Sequence, residues 1–434
     1  MKVLLEMNQR IIEKIGFQKP FALSQRPMKY CVKIDNGNGI VIYNCITLEM
    51  IAFDYSEDVN SYLFKHWFTV PDSFCEKEWF NQIRQEIKLE DSQKSLHRFT
   101  IFTTTECNAR CFYCYERGIP QISMTPKVAT DTADFIAGQY QGEPHKLHWF
   151  GGEPLCNTEA IDIITKKLSD KKVPYSSVMT SNGYMFHESM VKRAASLWKL
   201  ESVQITLDGT EQQYNRIKTY INCGQNAFEK VLCNITELLQ NQIAVKIRLN
   251  VGLYNIEDMF NLIDILSSRF ACSRFISVYP ALVDKYQYKY SSEEIIERNK
   301  QFQNVQKHLE ESGMQYKRKS IDNVLRITNC VGDDYRGCVI LPDGKLSKCA
   351  TLMDEEVYGD IYMNPAEYNS DVIESWQRRG TEIQQCDDCC IYPLCSKRLY
   401  KCPSDRKNPI YDYECKTRIF DYVSTISSCG KQNI

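Results

Sequence analysis

The chain has 434 residues, which is enough for two or three domains with cores of their own. A formal net charge of -2 and a pI near 6.4 leave no basic excess to neutralise phosphates, which argues against a general nucleic-acid binder. Residues 1–10 lack a signal peptide and no apolar run is long enough to cross a bilayer, so we expect a cytoplasmic protein without a membrane partner.

The first 95 residues contain no cysteine motif, and strands followed by helices are predicted there. Two β-rich runs, 30–35 and 39–44, flank an Asn-Gly-Asn turn and indicate a hairpin. Helices are predicted from about Glu57 to His66 and from Glu76 to about Leu89, where apolar residues recur at helical spacing. A plain α+β cap is one interpretation of this segment.

Residues 97 to about 280 alternate between strand and helix patterns. Six strands are predicted, at 99–103, 146–150, 177–180, 203–207, 245–251 and 275–280. Repeated βα units imply a parallel sheet whose functional site lies at the carboxyl ends of the strands. A charged, helical segment follows at 281–329 and is predicted to bridge two domains.

A loop after the first of these strands contains Cys107, Cys111 and Cys114 in the spacing C-x3-C-x2-C. A [4Fe–4S] cluster normally takes four thiolates, so three leave one iron open to a small molecule. A structural zinc site, the alternative, needs a fourth ligand and usually pairs C-x2-C units. The chain has 20 cysteines, which in a reducing compartment favour metal ligation over disulfides.

The C-terminal segment is also rich in cysteine. Nine lie between 330 and 415, namely Cys330, Cys338, Cys349, Cys386, Cys389, Cys390, Cys395, Cys402 and Cys415. The run 386–402 reads C-x2-C-x5-C-x6-C when Cys390 is skipped, and 13 residues separate Cys330 from Gly344. Two zinc ribbons would also fit the spacing alone.

The cysteine loop closely resembles that of the radical S-adenosylmethionine (SAM) superfamily, and Tyr113, just before the third cysteine, also fits. The resemblance implies a partial (β/α)6 TIM barrel at 96–280 that binds a [4Fe–4S] cluster and SAM. In that family the open iron chelates SAM, and an electron cleaves it to methionine and a 5′-deoxyadenosyl radical that abstracts a substrate hydrogen.

Strand-end motifs resemble the SAM pocket of that family. Gly-Gly-Glu-Pro begins 37 residues after Cys114 and resembles the segment that grips the SAM amino group, with the carboxylate pairing with the ammonium. Arg248 and Asn250 are further candidates. By resemblance the cofactor contacts are Tyr113, Gly151, Gly152, Glu153, Pro154, Ser181, Asn182, Thr206, Asp208 and Arg216. Helix capping or turn chemistry would equally place polar residues at these strand ends.

The C-terminal cysteines resemble the SPASM extension at 330–434, which holds two auxiliary [4Fe–4S] clusters and brings the expected total to three. The six-residue spacing before Cys402 departs from that pattern. By resemblance the first cluster takes Cys330, Cys349 and Cys402, with Cys338 as the candidate fourth ligand. The second takes Cys386, Cys389, Cys395 and Cys415. The remaining cysteines are interpreted as small buried hydrophobes, namely Cys31, Cys45, Cys75, Cys156, Cys223, Cys233, Cys272 and Cys429.

Residues 1–95 resemble, in architecture, the winged-helix-like recognition element of ribosomal peptide maturases, which binds a leader peptide as an added strand. The chain is therefore predicted to be a radical SAM/SPASM enzyme that modifies a precursor peptide, with a thioether or another side-chain cross-link as the product. A flavodoxin or ferredoxin would supply electrons. No catalytic base is assigned.

Two other functions stay open at this stage. A sulfatase-type maturase, forming formylglycine, would carry an acidic residue directly after the second SPASM cysteine, whereas Ala350 and Thr351 follow Cys349. An iron–sulfur electron carrier would have no use for the SAM pocket that the Gly151–Pro154 segment predicts.

Overall fold

The computed structural model describes residues 1–8, 11, 13, 24–35, 37–221, 226–283, 291–314, 330–351, 353–377, 389–394, 423 and 426. Its contacts divide the chain into two compact units. The first unit comprises 1–94, 318–335 and 374–434, and the second comprises 95–317 and 336–373. The first unit therefore groups the N-terminal segment with the last 61 residues, 374–434, which the sequence analysis had assigned to a separate extension.

The first unit is built on an antiparallel sheet in the order β1-β5-β4-β3, beside a two-stranded ribbon of β2 and β6. These strands are β1 (Lys2–Leu5), β2 (Gln25–Pro27), β3 (Cys31–Asp35), β4 (Gly39–Asn44), β5 (Met50–Asp54) and β6 (Thr69–Pro71). Its helices are α1 (Asn60–Lys65), α2 (Glu76–Ser92) and α10 (Ser370–Gln377), whose last residues reach this unit.

The predicted hairpin and both predicted helices of the first unit agree with the structure. β3 and β4 form the predicted hairpin, and Gly37 adopts a φ of +88° in its turn, a conformation that glycine accepts without steric cost. Helix α2 buries Phe80, Ile83 and Ile87 at the predicted helical spacing. That this unit is a winged-helix-like peptide recognition element stays a prediction.

The second unit contains a nine-stranded sheet in the order β12-β11-β10-β9-β8-β7-β13-β14-β15. The six predicted strands are its parallel part, in sequential order: β7 (Arg98–Thr104), β8 (His145–Gly151), β9 (Tyr175–Ser181), β10 (Leu200–Leu207), β11 (Ala244–Val251) and β12 (Ile276–Leu282). The α/β fold with a parallel sheet is thus confirmed.

Helices connect successive parallel strands, and their apolar faces pack on the sheet. They are α3 (Pro126–Gly138), α4 (Thr158–Asp170), α5 (Glu188–Ser196), α6 (Glu211–Lys218), α7 (Ala227–Gln240), α8 (Ile256–Phe270) and α9 (Ser292–Glu311). Trp149 of β8 and Trp198 after α5 are completely buried in this core. No helix in the described part of the chain is both long and apolar enough to span a membrane.

Three further strands extend the core sheet beyond β7. They are β13 (Gly337–Ile340), β14 (Lys345–Ser347) and β15 (Val357–Asp360). β13 runs parallel to β7, and Gly344, with a φ of +88°, makes the turn of the β13–β14 hairpin. Residues 337–360 are therefore part of the core sheet, which spacing alone did not indicate because β13 pairs with a strand more than 200 residues earlier in the chain.

The ends of β7 and β8 approach each other so closely that only glycine fits at Gly151. Its φ is +122°, and an added Cβ would collide with the carbonyl oxygen of Thr104. Gly142, in the preceding loop, has a φ of +92° but open space around it. Substitutions at the two glycines therefore distinguish the cost of backbone strain from the cost of steric overlap.

We expect Gly151→Ala to lower the free energy of unfolding by about 2–5 kcal/mol, because backbone strain and overlap add. Gly142→Ala should cost only about 1–2 kcal/mol, from its positive φ. Thermal unfolding followed by circular dichroism, on proteins of equal iron content, compares them. Equal losses in the two variants would contradict the close approach.

Candidate active site

The three motif cysteines lie in one loop that follows β7 at the carboxyl end of the parallel sheet. Backbone hydrogen bonds fix this loop to the end of α6 and the segment after it: Arg110 N donates to the Lys218 carbonyl at 2.8 Å, and Ile221 N donates to the Asn108 carbonyl at 2.8 Å. The loop is therefore held where the sequence analysis expected the site.

The three cysteine thiols are better suited to ligate a cluster than to ionise as free thiolates. Burial, followed by the charge of Glu153, raises the pKa of Cys107 to about 12, and burial also raises the pKa values of Cys111 and Cys114. The charge of Cys111 contributes to raising the pKa of each of its two neighbours. Metal ligation would stabilise the thiolates that burial disfavours.

Sulfur atoms of predicted ligands share one hydrogen-bond pattern, in which the amide two residues later donates to the sulfur. It joins Ala109 N to Cys107 Sγ at 3.4 Å, Gly332 N to Cys330 Sγ at 3.2 Å, and Thr351 N to Cys349 Sγ at 3.4 Å. Such bonds stabilise a thiolate and tune iron–sulfur clusters. The donor set and its amides therefore fit the implied cluster.

The Gly-Gly-Glu-Pro segment pairs with the backbone of the cysteine loop. Gly152 N donates to the Thr104 carbonyl at 3.2 Å, and Glu153 N donates to the Glu106 carbonyl at 2.8 Å. A Cβ at Gly152 would collide with the Glu106 carbonyl, so the segment needs glycine there too. Pro154 is buried and its carbonyl accepts a hydrogen bond from Thr103 Oγ1 at 3.3 Å.

The Glu153 carboxylate is completely buried and joins the ends of β8 and β9. Its oxygens accept hydrogen bonds from Ser181 Oγ at 2.8 Å, Asn182 N at 2.8 Å and Leu155 N at 3.2 Å. Burial nevertheless raises its pKa. Three protein donors already occupy these oxygens, and the predicted contact with the SAM ammonium stays a prediction.

Asp208, at the end of β10, is the centre of a buried polar network. Its carboxylate lies 2.9 Å from Lys218 Nζ, and it accepts hydrogen bonds from the Tyr113 hydroxyl at 2.7 Å and from Asn250 Nδ2 at 3.1 Å. Asn255 Nδ2 donates to the Asp208 carbonyl at 2.7 Å. Two strand ends, α6 and the cysteine loop thus meet at one carboxylate.

Lys218, which the sequence analysis did not single out, is the cation of this network, whereas the predicted contact of Arg216 with the cofactor stays a prediction. Burial lowers the pKa of Lys218, but the charges of Asp208, Tyr113 and Cys111 raise it well above its usual range. Arg216 is exposed on the other side of α6. Tyr214, Ile217 and Lys218 share the buried face, so helical spacing was the signal that could have identified Lys218.

The remaining predicted contacts lie nearby. Asn182 Nδ2 donates to Asn108 Oδ1 in the cysteine loop at 2.7 Å. Thr206 lies beside Arg248 in the register of β10 and β11, on a face with several partly exposed polar side chains. On this face His148 Nε2 lies 2.9 Å from Thr180 Oγ1, and the Tyr279 hydroxyl donates to Gln204 Oε1 at 2.6 Å.

The predicted auxiliary ligands are described only in part. Cys330 is exposed and Cys349 is partly exposed. Cys338 is completely buried in the core of the second unit, on β13 opposite Phe99, and its role as a fourth ligand stays a prediction. Cys389 lies in the first unit, whereas Cys386, Cys395, Cys402 and Cys415 lie outside the described residues.

Solved structures with this fold include peptide-bound proteins. The chain is similar to anSMEcpe solved with AdoMet and the Cp18Cys peptide, with a TM-score of 0.58 and 17% identity over 77% of this chain and 100% of that one. It is also similar to Streptococcus suis SuiB bound to precursor peptide SuiA, with a TM-score of 0.54 and 11% identity over 90% and 100%. These likenesses show the fold.

Sequence comparison finds a distant relative and one family. The GTP 3′,8-cyclase of Clostridium perfringens (strain 13 / Type A) is 24% identical over 261 residues, which cover 57% of this chain and 79% of that protein. Residues 101–266 match the Radical SAM superfamily, whose fold implies a [4Fe–4S] cluster and SAM. The matched region contains the cysteine loop and the Asp208 network.

Proposed function

We propose that this chain is a radical SAM enzyme that modifies a ribosomally made precursor peptide. The observation that carries the radical SAM part is the cysteine loop, held at the carboxyl end of the sheet beside the buried Asp208–Lys218 pair. When bound, the cluster and SAM supply a 5′-deoxyadenosyl radical that abstracts hydrogen. The protein residues bind and orient these groups.

Three features of the site suit an amino acid cofactor. Lys218 brings a buried cation close to Cys111, which suits the carboxylate of SAM. The Tyr113 hydroxyl is fixed by Asp208 and by Asn250 Nδ2 at 2.9 Å, so its ring has a defined place to contact adenine. Gly151 and Gly152 keep the backbone bare of side chains where the SAM amino group is proposed to bind.

The proposal that the substrate is a peptide rests on the similar solved structures and on the first unit. Two proteins with the same fold were solved with bound peptides. In the first unit β3 and β1 are the outer strands of the antiparallel sheet, and such edges can accept a peptide as a further strand. We favour β3 because it is the longer strand, with Lys33 and Asp35 exposed along it.

For the chemical step we propose a cross-link with an auxiliary cluster as electron acceptor. Hydrogen abstraction from a core residue would give 5′-deoxyadenosine and a carbon radical. A cysteine sulfur of the peptide would bond to that carbon as the thiol proton leaves, and an auxiliary cluster, when bound, would take up the remaining electron. A carbon–carbon bond would balance in the same way, with the proton leaving carbon. Flavodoxin or ferredoxin is the proposed reductant.

A nucleotide substrate is the second candidate, because the curated relative at 24% identity is a GTP 3′,8-cyclase. That similarity covers 57% of this chain. SuiB, in contrast, is covered over its whole length by 90% of this chain, which favours a peptide. GTP offered to the reduced, cluster-loaded protein tests the alternative directly, because a cyclase would consume GTP without any peptide.

We expect Lys218→Met to raise the Kd for SAM at least about tenfold, equivalent to about 1.4 kcal/mol, because a charge-assisted contact is lost. Arg216→Met is the matched control on the same helix and should change Kd less than twofold. Lys218→Arg keeps the charge and should restore most of the affinity. Isothermal titration at equal iron content measures all three. Weaker SAM binding by Arg216→Met, together with unchanged SAM binding by Lys218→Met, would contradict the role of Lys218.

The peptide hypothesis is tested on the full chain, because Tyr392, Leu394 and Ile426 complete the core of the first unit and a fragment of residues 1–95 would lack them. The probe is a labelled leader peptide from a short cysteine-rich reading frame beside the gene. Lys33→Pro removes an N–H from β3, and Lys2→Pro is the matched change on the opposite edge.

We expect Lys33→Pro to raise the Kd for the leader about tenfold, through one or two lost main-chain hydrogen bonds, and Lys2→Pro to change it less than twofold. SAM cleavage without peptide should be unaffected in both variants. Mass spectrometry of the full precursor after reaction should show the loss of two hydrogens per cross-link. Absence of leader binding by the wild-type chain would contradict peptide recognition by the first unit.

A further inference from the structure

One face of the parallel sheet continues from the Asp208 network toward the middle of the strands. Asn250, which donates to the Asp208 carboxylate at 3.1 Å, follows Arg248 by two residues on β11. Alternate residues of a strand lie on the same side and each residue rises about 3.3 Å, so Arg248 lies about 7 Å along the strand from Asn250. Lys246, two residues earlier, continues this row.

The neighbouring strands place polar side chains on both sides of the row. In the register of the sheet Arg248 lies between Thr206 of β10 and Tyr279 of β12. Gln204 of β10 lies beside Lys246. The Tyr279 hydroxyl reaches across β11 and donates to Gln204 Oε1 at 2.6 Å. Polar side chains of three strands therefore surround Lys246 and Arg248.

The hydrogen bonds of this face leave both cations without a counter-ion. The other polar side chains satisfy one another, since His148 Nε2 also lies 2.9 Å from Thr180 Oγ1. Neither Lys246 nor Arg248 forms a hydrogen bond or an ion pair with another described residue. The Arg248 side chain is partly exposed, but its Nε is buried and has no partner in the described part of the chain.

The strands themselves offer no acidic partner for this row. The only acidic residue of the six parallel strands is Glu201, which is exposed at the amino end of β10. The same strands contain four lysine or arginine residues, namely Arg98, Lys146, Lys246 and Arg248. Taking an unpaired charge out of water is unfavourable, so a half-buried guanidinium without a partner is suited to bind an anion.

We propose that Arg248 and Lys246 bind an anionic group of the substrate, one row below the Asp208 network. For a peptide this group is the carboxylate of an Asp or Glu near the residue that loses hydrogen, and for a nucleotide it would be a phosphate. A guanidinium binds either oxyanion through two parallel N–H bonds. Lys218 is the cation proposed for SAM, which leaves Arg248 for the substrate. This assignment rests on the proposed function, since it names the chemistry of that enzyme's substrate.

Acetylation of lysines in the wild-type full chain tests the site without turnover. The probes are the full precursor from the short cysteine-rich reading frame beside the gene and, separately, GTP. Lys246 is exposed, as is Lys166 on α4, so both should be acetylated when no probe is present. Saturating precursor should lower the acetylation of Lys246 at least about fivefold, because a bound carboxylate engages the ammonium, and should leave Lys166 unchanged. Mass spectrometry measures both sites.

Two variants test whether the contact depends on charge. Arg248→Met removes the guanidinium and keeps an apolar stem, and Arg274→Met is the matched change in the exposed turn before β12. We expect Arg248→Met to raise the Kd of the precursor about tenfold and Arg274→Met to change it less than twofold. The leader alone should bind all three proteins equally.

The acidic residue of the substrate is identified by replacing each core Asp or Glu of the precursor with Asn or Gln. One replacement should raise the Kd for the wild type about tenfold but the Kd for Arg248→Met less than twofold, because both changes remove the same contact. If the precursor protects Lys246 yet no replacement shows this coupling, the proposal is wrong. A Kd for SAM raised about tenfold by Arg248→Met would also overturn it, because Arg248 would then belong to the cofactor site.

The two probes distinguish failure of this site from failure of the proposed function. Protection of Lys246 by GTP and not by the precursor would support the anion site, with phosphate as the anion, and would contradict a peptide substrate. Protection by neither probe would overturn the site. Loss of leader binding alone concerns the first unit and leaves Lys246 and Arg248 unaffected.

A measurement without any ligand separates binding from a structural role. An uncompensated charge does not stabilise the empty site, so the Tm of iron-free Arg248→Met should be no lower than that of iron-free Arg274→Met. A guanidinium that held the fold together would give the opposite result. A Tm lower by about 2 °C or more in Arg248→Met, or failure of that variant to fold, would overturn the proposal.

Discussion

The buried Asp208 carboxylate is the interaction on which the geometry of the site depends. It binds Lys218 of α6 and Tyr113 of the cysteine loop, and both it and Tyr113 accept hydrogen bonds from Asn250 of β11. Burying an ion pair costs desolvation, and removing one partner leaves an uncompensated charge, worth about 3–5 kcal/mol. The pair therefore contributes less to net stability than to fixing where the loop lies relative to the strand ends.

A second buried carboxylate, Glu153, plays the same part at the other side of the loop. It joins Ser181 and Asn182 to β8, while the backbone on either side of Gly152 pairs with the start of the cysteine loop. The Asp208 carboxylate thus fixes the loop through Tyr113, while the Glu153 carboxylate joins the strand ends beside it.

Much of the fold followed from local patterns. Alternating strand and helix patterns predicted all six parallel strands, and an Asn-Gly-Asn turn predicted the β3–β4 hairpin. The pairing of β13 with β7 and the division into two units could not be predicted, because they depend on contacts between distant segments. In the site, motifs singled out Asp208, Glu153 and Arg216 as cofactor contacts, which stay predictions. They did not single out Lys218, because spacing in a motif does not show which face of α6 is buried.

The central claim is that the cysteine loop holds a cluster through which SAM is cleaved. The most direct measurement counts 5′-deoxyadenosine released from SAM by the anaerobically reconstituted, reduced full chain, beside a variant with Cys107, Cys111 and Cys114 replaced by alanine. The account predicts formation of 5′-deoxyadenosine by the wild type, and none by a variant that has lost about four irons. Undiminished 5′-deoxyadenosine from the variant, or none from an iron-loaded wild type, would contradict it.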